Sequence, residues 1–455
     1  MLSAEELHGL QFRRRLPSPG GKGVPVRRSR QILLGTALSL LGVGSALADG
    51  IILDGVSAYT IGRGGTNLGF ADNGSILHDN PAAMGQIESD GMFQLGATGL
   101  WTEFQYSDPD NVDVVGQHQF YVLPEISYIR KMSEQWAFGA GIFSPAGFGS
   151  IFNLNGPAPF TGPQRYKSFG SLSKLLFGAS YTPDDRLSFG ATIGPALSFA
   201  NFEGPYTLQG PGFPGLPTLL DMEVDGFALV WSAGVQYQLT DSTSIGAAYQ
   251  SRSKIQATGT TSVDTPLGSS SYDTDATITW PQSVGVGVRQ QLTSRQVVSM
   301  DVIWFDWSAA FDSFDITLTN PSNQAFPDLV EQFPLNWRDT VSTRLGYEYH
   351  FDGGQVIRAG YVYHRNPSPA NTMTVFIPAA LEQAASLGYG WMWREWNINL
   401  AYMYSFGSHV YEDDSALIGG DYDNSEHYDQ THAASISFTK LLGPKQGCGC
   451  SVPVR

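Results

Sequence analysis

From Gly91 onward the chain alternates between apolar and small or polar residues. In Val341–Phe351 the residues Val341, Thr343, Leu345, Tyr347, Tyr349 and Phe351 fall on one face, and Ser342, Arg344, Gly346, Glu348 and His350 on the other. Gln355–Arg365 places Ile357, Ala359, Tyr361 and Tyr363 opposite Arg358, Gly360 and His364. Leu187, Phe189, Ala191, Ile193, Leu197 and Phe199 likewise alternate with Ser188, Gly190, Thr192, Gly194 and Ser198. A period of two is the signature of a strand with unlike faces. It predicts strands near 91–105, 119–132, 135–145, 167–182, 186–203, 225–240, 243–258, 276–292, 295–307, 336–351, 354–365, 383–393, 395–409 and 431–442. Most exceed the five or six residues usual in a soluble sheet. Tyr and Trp crowd the ends of the apolar face (Trp304, Tyr361, Tyr363, Trp396, Tyr404), as interfacial girdles do. The opposite face is Gly, Ser and Asn with scattered charge, which suits a wet or plugged lumen. The fold class expected is an all-β transmembrane barrel of about 14 antiparallel strands. Short turns such as Ser133-Glu134, Pro183–Asp185 and Asp241-Ser242 would face the periplasm; long connectors near 146–166, 204–224 and 308–335 would face outside.

Composition agrees. Charged residues make up only 15% of the 455, aromatics 12%, and there are 52 glycines. Arg27-Arg28-Ser29-Arg30 precedes the apolar run Ile32–Leu47, which ends in Ala46-Leu47-Ala48. That is a signal peptide and cleavage site, and the run is too short and Gly-broken for a spanning helix. Four regions follow: a leader over 1–48, an N-terminal hatch over 49–90, the barrel over 91–442 and a tail over 443–455. Removing the leader takes away seven Lys/Arg and two Asp/Glu, so the net charge moves from −16 to −21. No basic stripe is left for nucleic acid. Cys448 and Cys450 form a lone C-G-C with no His nearby, so no metal site or cofactor is expected.

Ahead of the first strand lies Tyr59–Met84, rich in Gly and small residues and ending in Asn80-Pro81-Ala82-Ala83-Met84. Pro81 fixes its own φ and holds Asn80 extended, so the backbone turns where Ala82 allows close approach. This segment resembles the plug of the FadL-type outer-membrane transporters of long-chain fatty acids and other hydrophobic compounds. Trp136–Gly149 looks like their third strand. Trp280–Gly285 followed by Phe305–Ser308 looks like their central hairpin. Asn336–Thr340, Arg358–Tyr361, Pro367–Pro369 and Ile377-Pro378 resemble their late hairpin and loop. The resemblance implies capture of a hydrophobic ligand outside, transfer to an internal pocket, hatch movement and sideways exit at a kinked third strand. Phe438 would be the aromatic assembly signal for the barrel assembly machinery, although Thr439–Arg455 continues past it.

Three groups of residues are candidates. Asn80, Pro81 and Ala82 would anchor the hatch. Gly141, Phe143, Pro145, Gly147 and Phe148 would border a lateral gate, since Pro145 lacks a ladder donor and glycines permit a bulge; alternatively, Pro145 simply ends the strand. Trp136, Phe138, Ala140 and Ile142 would face lipid there. Arg344 and Arg358 would be lumenal contacts for a carboxylate, or would pair with Glu348 and other wall acids. No Lys or Arg lies between Arg186 and Arg252 or between Arg295 and Arg338, and two outer loops instead hold Phe202, Phe213, Leu216, Leu219, Leu220, Phe311, Phe314, Phe326, Leu329 and Phe333. The expected partners are thus a hydrophobic small molecule and outer-membrane lipid, with the protein a monomer. A general diffusion porin or an outer-membrane lipid enzyme would be the alternatives. A porin needs no Asn-Pro-Ala hatch, and His350, His364, His409, His427 and His432 form no triad-like set.

Overall fold

The computed structural model describes residues 50–445, apart from 157, 210–214, 418, 420 and 421. The expected leader over 1–48, the Cys448/Cys450 tail and Phe213 lie outside the described residues. The strands that cross the wall are β1 (Ser89–Asp108), β2 (Gln119–Lys131), β3 (Trp136–Asn155), β4 (Pro163–Asp184), β5 (Leu187–Leu208), β6 (Leu216–Thr240) and β7 (Thr243–Gln250). The second half is β8 (Ser283–Gln291), β9 (Gln296–Phe305), β10 (Thr340–His350), β11 (Val356–Tyr363), β12 (Gln383–Trp393), β13 (Trp396–Phe406) and β14 (Ser425–Lys445). Each pairs antiparallel with its neighbour, and β14 closes on β1 from Lys445↔Ser89 to Glu426↔Ser107. Closure leaves no open sheet edge for lipid to meet. The 14 strands follow the alternation read from the sequence.

The faces alternate as the pattern requires. Phe189, Ile193 and Leu197 are exposed on the outside of β5, while Ser188 and Thr192 are buried inside. On β3, Trp136, Phe138 and Ile142 point out, and Ala137 and Phe143 point in. A soluble protein would not leave such a band of large apolar side chains uncovered.

Several strands run beyond the expected ends. β3 continues to Asn155, and β6 begins at Leu216 inside the expected loop 204–224. β7 is continued by Ser253–Thr265 and β8 is preceded by Gly268–Trp280, a hairpin joined by Ser313–Thr319 and Leu329–Pro334 from the expected loop 308–335. The physical reason is the solvent. Above the lipid the outward positions turn polar (Asp221, Glu223 and Asp225 on β6) where lower they are Phe227, Leu229 and Trp231.

Residues 50–87 fill the lumen on the side of the short turns. Helix α1 (Ala58–Gly62) is started by a capping box, with Ser57 Oγ accepting from Thr60 N and Thr60 Oγ1 accepting from Ser57 N. Helix α2 (Ile76–Asp79) runs into a 3-10 turn over Pro81–Gln86. Wall glycines make room for this plug. A Cβ on Gly360 would sit 2.0 Å from Gly64 N, and one on Gly190 2.3 Å from Ala82 N. The plug and wall therefore touch backbone to backbone.

Candidate functional site: plug anchors, a parted wall and its cavities

Asn80 is fully buried. As the residue before Pro81 it is extended (φ −149, ψ 93), and its Oδ1 accepts from Ala82 N at 3.3 Å. Its Nδ2 donates to Leu68 O (2.9 Å), Gln236 Oε1 (2.9 Å) and Val235 O (3.2 Å), so one side chain ties two plug segments to β6. Ser188 Oγ on β5 donates to Ala82 O at 2.8 Å. Pro81 occupies the first position of the 3-10 turn, where its missing N–H costs nothing.

A second anchor escaped the sequence reading. Arg63 is completely buried, yet it is the sole Lys or Arg between Arg30 and Arg130, and that isolation was the available signal. Its Nη1 donates to Asp72 Oδ2 (2.9 Å) and Glu348 Oε1 (3.1 Å), its Nε donates to Thr66 O (2.7 Å), and its guanidinium lies 3.4 Å over the Phe70 ring. Glu348 on β10 also accepts from Arg358 Nε at 2.7 Å. Arg358 Nη1 donates to Asn399 Oδ1 at 2.7 Å, and the guanidinium lies over Tyr59 of α1. Arg358 thus belongs to the network joining plug and wall.

At β3 the wall parts. β2 and β3 pair from Lys131↔Ala137 to Ile126↔Ile142 and no further, although β2 continues back to Gln119 and β3 on to Asn155. The β3–β4 register shifts between Phe143 and Ala146, where Ser144-Pro145 bulges. The freed backbone pairs inward with the start of the plug: Leu53 N donates to Pro145 O (2.9 Å) and Gly147 N to Ile51 O (3.1 Å). Tyr121 of β2 reaches over the gap, and a Cβ on Gly149 would lie 2.2 Å from its hydroxyl.

A cavity of 300 Å³ lies against this gap, between Tyr121–Pro124 of β2, Ser144 and Ala146–Gly149 of β3, Phe169–Ser173 of β4 and Gly50–Gly55 of the plug. Among the described residues its lining contains no Lys or Arg, and its ionisable side chains include Asp54 and His364. Of the candidate gate residues, Gly147 and Phe148 line it, and Pro145 lines a second cavity on the other side of the plug segment. Gly141 and Phe143 sit lower and pack on the plug, with Phe143 5.4 Å from the His78 ring. Phe148 and Gly170 also line a 30 Å³ cavity further out, which shares Phe202, Phe314 and Ile377 with a 60 Å³ cavity beyond it. Rings link the three: Phe148 to Phe202 at 6.0 Å and Phe202 to Phe314 at 5.7 Å. Among the described residues neither outer cavity is lined by Lys or Arg.

A further cavity, of 80 Å³, has a mainly apolar wall set with charged side chains, which make it the polar cavity of the lumen. Asp54, Asp79 and Asp301 line it beside Lys174 and Arg344. Arg344 Nη1 donates to Asp54 O (3.0 Å) and its Nη2 lies 3.6 Å from Asp54 Oδ1. Lys174 Nζ donates to Gln250 Oε1 at 3.0 Å. Burial lowers the affinity of His78 for a proton below the ordinary histidine value, against the pull of Asp79, whose Oδ1 is 2.7 Å from Nδ1. Arg344 therefore reaches a cavity, whereas Arg358 lines neither this one nor the 300 Å³ one. Lys174, which the sequence reading passed over, lies on the cavity opposite the bulge.

Known proteins agree with this architecture. The family model described as "Outer membrane protein transport protein (OMPP1/FadL/TodX)" matches residues 39–438. Outer membrane protein P1 of Haemophilus influenzae is 24% identical over 450 residues, covering 87% of this chain and 94% of that protein. The long-chain fatty acid transport protein of Escherichia coli K12 is 21% identical over 394 residues, covering 76% and 84%. The crystal structure of the P. putida toluene transporter TodX superposes with a TM-score of 0.74 at 21% identity, over 86% of this chain and all of that one. A Pseudomonas aeruginosa FadL homologue gives 0.72 at 18% identity, over 86% and 99%. With a family match across most of its length, a closed 14-stranded barrel and a plugged lumen, the chain belongs to the OMPP1/FadL/TodX family, outer-membrane channels of Gram-negative bacteria for hydrophobic compounds.

Proposed function

We propose that the cargo is a neutral or weakly polar hydrophobic molecule, and that it leaves sideways between β2 and β3 while the plug stays seated. It enters over the outer aromatic surface, follows the Phe314, Phe202 and Phe148 track and rests in the 300 Å³ cavity. Hatch movement is confined to Gly50–Gly55, whose two hydrogen bonds to Pro145 and Gly147 cover the gap. The observation that carries this reading is the position of that cavity, against the stretch where β2 and β3 part. Exit through the plug is opposed by its interlock with the wall glycines and by the buried Arg63–Glu348–Arg358 network. Breaking a buried ion pair costs roughly 3–5 kcal/mol.

The family resemblance favours a long-chain fatty acid, and toluene transporters stand among the similar structures. Cavity chemistry favours the neutral cargo. An ionised carboxylate left unpaired in apolar surroundings is prohibitive. Among the described residues no Lys or Arg lines the three apolar cavities, and the one histidine there, His364, stands 3.7 Å from Asp54, an acid that would repel a carboxylate. One observation supports the acid: Lys174 on the polar cavity, across the plug segment from the apolar one. Binding of a long-chain fatty acid and of its alcohol to the purified protein separates the two. The neutral reading predicts similar affinities, little changed by Lys174→Ala or Arg344→Ala. Tenfold tighter binding of the acid, erased by either substitution, would replace it with the fatty acid reading.

A further inference from the structure

The polar cavity reaches a short interruption in the ladder between β7 and β8, across which the register is unchanged. β7 and β8 pair up to Gln250↔Ser283, and their extensions resume at Ser253↔Trp280. Ser251-Arg252 and Pro281-Gln282 face each other between these pairs and lie outside the ladder. Pro281 has no N–H to offer. Gln250, Ser253, Trp280, Pro281 and Ser283, the residues that frame the break, all line the polar cavity. On the outside a cluster of side chains closes it. Arg252 Nη2 and Gln282 Nε2 both donate to Asp306 Oδ2 at 2.7 Å, and Tyr249 OH donates to Gln282 Oε1 at 2.7 Å. Arg252 Nε is buried there with no partner among the described residues. The level is the upper border of the lipid band, since Val284 below is exposed and apolar and Lys254 above is exposed and charged.

We propose that this break is a second window in the barrel, polar and gated by the Arg252–Gln282–Asp306 latch, through which water leaves and re-enters the lumen. The 300 Å³ cavity has room for on the order of ten or more waters when no cargo fills it. They must go elsewhere when an apolar molecule fills it. The outer route narrows to the 30 Å³ cavity between aromatic rings and is filled by the entering cargo, the lipid-facing gap beside β2 is a poor exit for water, and the plug closes the periplasmic side. The polar cavity shares Ile52–Gly55, Ala146 and Leu172 with the apolar one. Displacement of the plug segment by cargo would therefore connect the two and pass water toward the latch. This inference rests on the proposed route of the cargo, but the window itself can be tested without any cargo.

The test uses the full chain in lipid nanodiscs, with Cys448→Ser and Cys450→Ser and a single new cysteine in place of Ser283, at the window. Its modification by a small charged methanethiosulfonate is timed with the latch intact and with Asp306→Ala. Gln282→Ala, which trims the latch and leaves no charge unpaired, is the second variant. A cysteine in place of Ser171, in the apolar cavity, is the control. Opening the latch should speed modification at position 283 at least tenfold and leave position 171 within twofold. An unchanged rate at 283, or an equal rise at both positions, would overturn the window. Loss of cargo transport with these rates intact would instead count against the transport route alone.

Discussion

Asn80 and Arg63, two of the buried side chains that hold the plug, were not equally legible. Asn80 announced itself through its proline: the pre-proline residue must be extended, which leaves its amide free to reach both plug and wall. Arg63 gave no such local sign. Its role depends on Glu348, 285 residues away, and on Phe70, which no spacing rule connects. Asn80→Ala would leave Leu68 O, Val235 O and Gln236 Oε1 without this donor, a loss of about 1–3 kcal/mol. The barrel should still assemble, judged by heat-modifiable gel migration, while uptake of a hydrophobic tracer falls. Arg63→Ala should be harsher. It removes the bonds to Thr66 O and Asn67 Oδ1 within the plug as well as the pairs with Asp72 and Glu348, although Glu348 keeps Arg358, so the plug should become protease-sensitive at a lower temperature than in the parent protein. Arg344 and Arg358 show the limit of reading a face from periodicity. Both fall on the lumenal face, as alternation requires, but alternation carries nothing about which acid each would meet.

Among the elements, the transmembrane spans were legible because lipid forces strict alternation on them. Their extensions were not, because above the membrane the outward face is again polar and loop-like, as Asp221, Glu223 and Asp225 show on β6. The bulge at Pro145 was legible from proline chemistry. The parting of β2 from β3 was not, since it depends on the N-terminal segment supplying the missing backbone partners. The seating of the plug is written in glycines whose reason appears only in three dimensions. A Cβ on Gly246 would lie 1.7 Å from Leu68 O, a backbone atom that cannot swing aside. Gly246→Ala should therefore displace the turn of the plug at Leu68. Limited proteolysis should cut the plug at least several-fold faster in this variant, with the heat-modifiable barrel band retained.

For the whole molecule, the arrangement separates two media. Apolar cavities run from the outer aromatic surface to a gap in the wall, and a polar cavity lies across one plug segment from them. The central claim is that cargo passes between β2 and β3. It is tested most directly by fastening those strands together where they come close, at Tyr121 and Gly149. Cysteines would replace these two residues in a chain carrying Cys448→Ser and Cys450→Ser, and a short, reducible thiol cross-linker would join them in cells. Uptake of a hydrophobic tracer should fall at least tenfold on cross-linking and return on reduction, while each single cysteine, treated alike, transports as before. Full uptake through a quantitatively cross-linked barrel would contradict lateral exit and send the cargo through the plug.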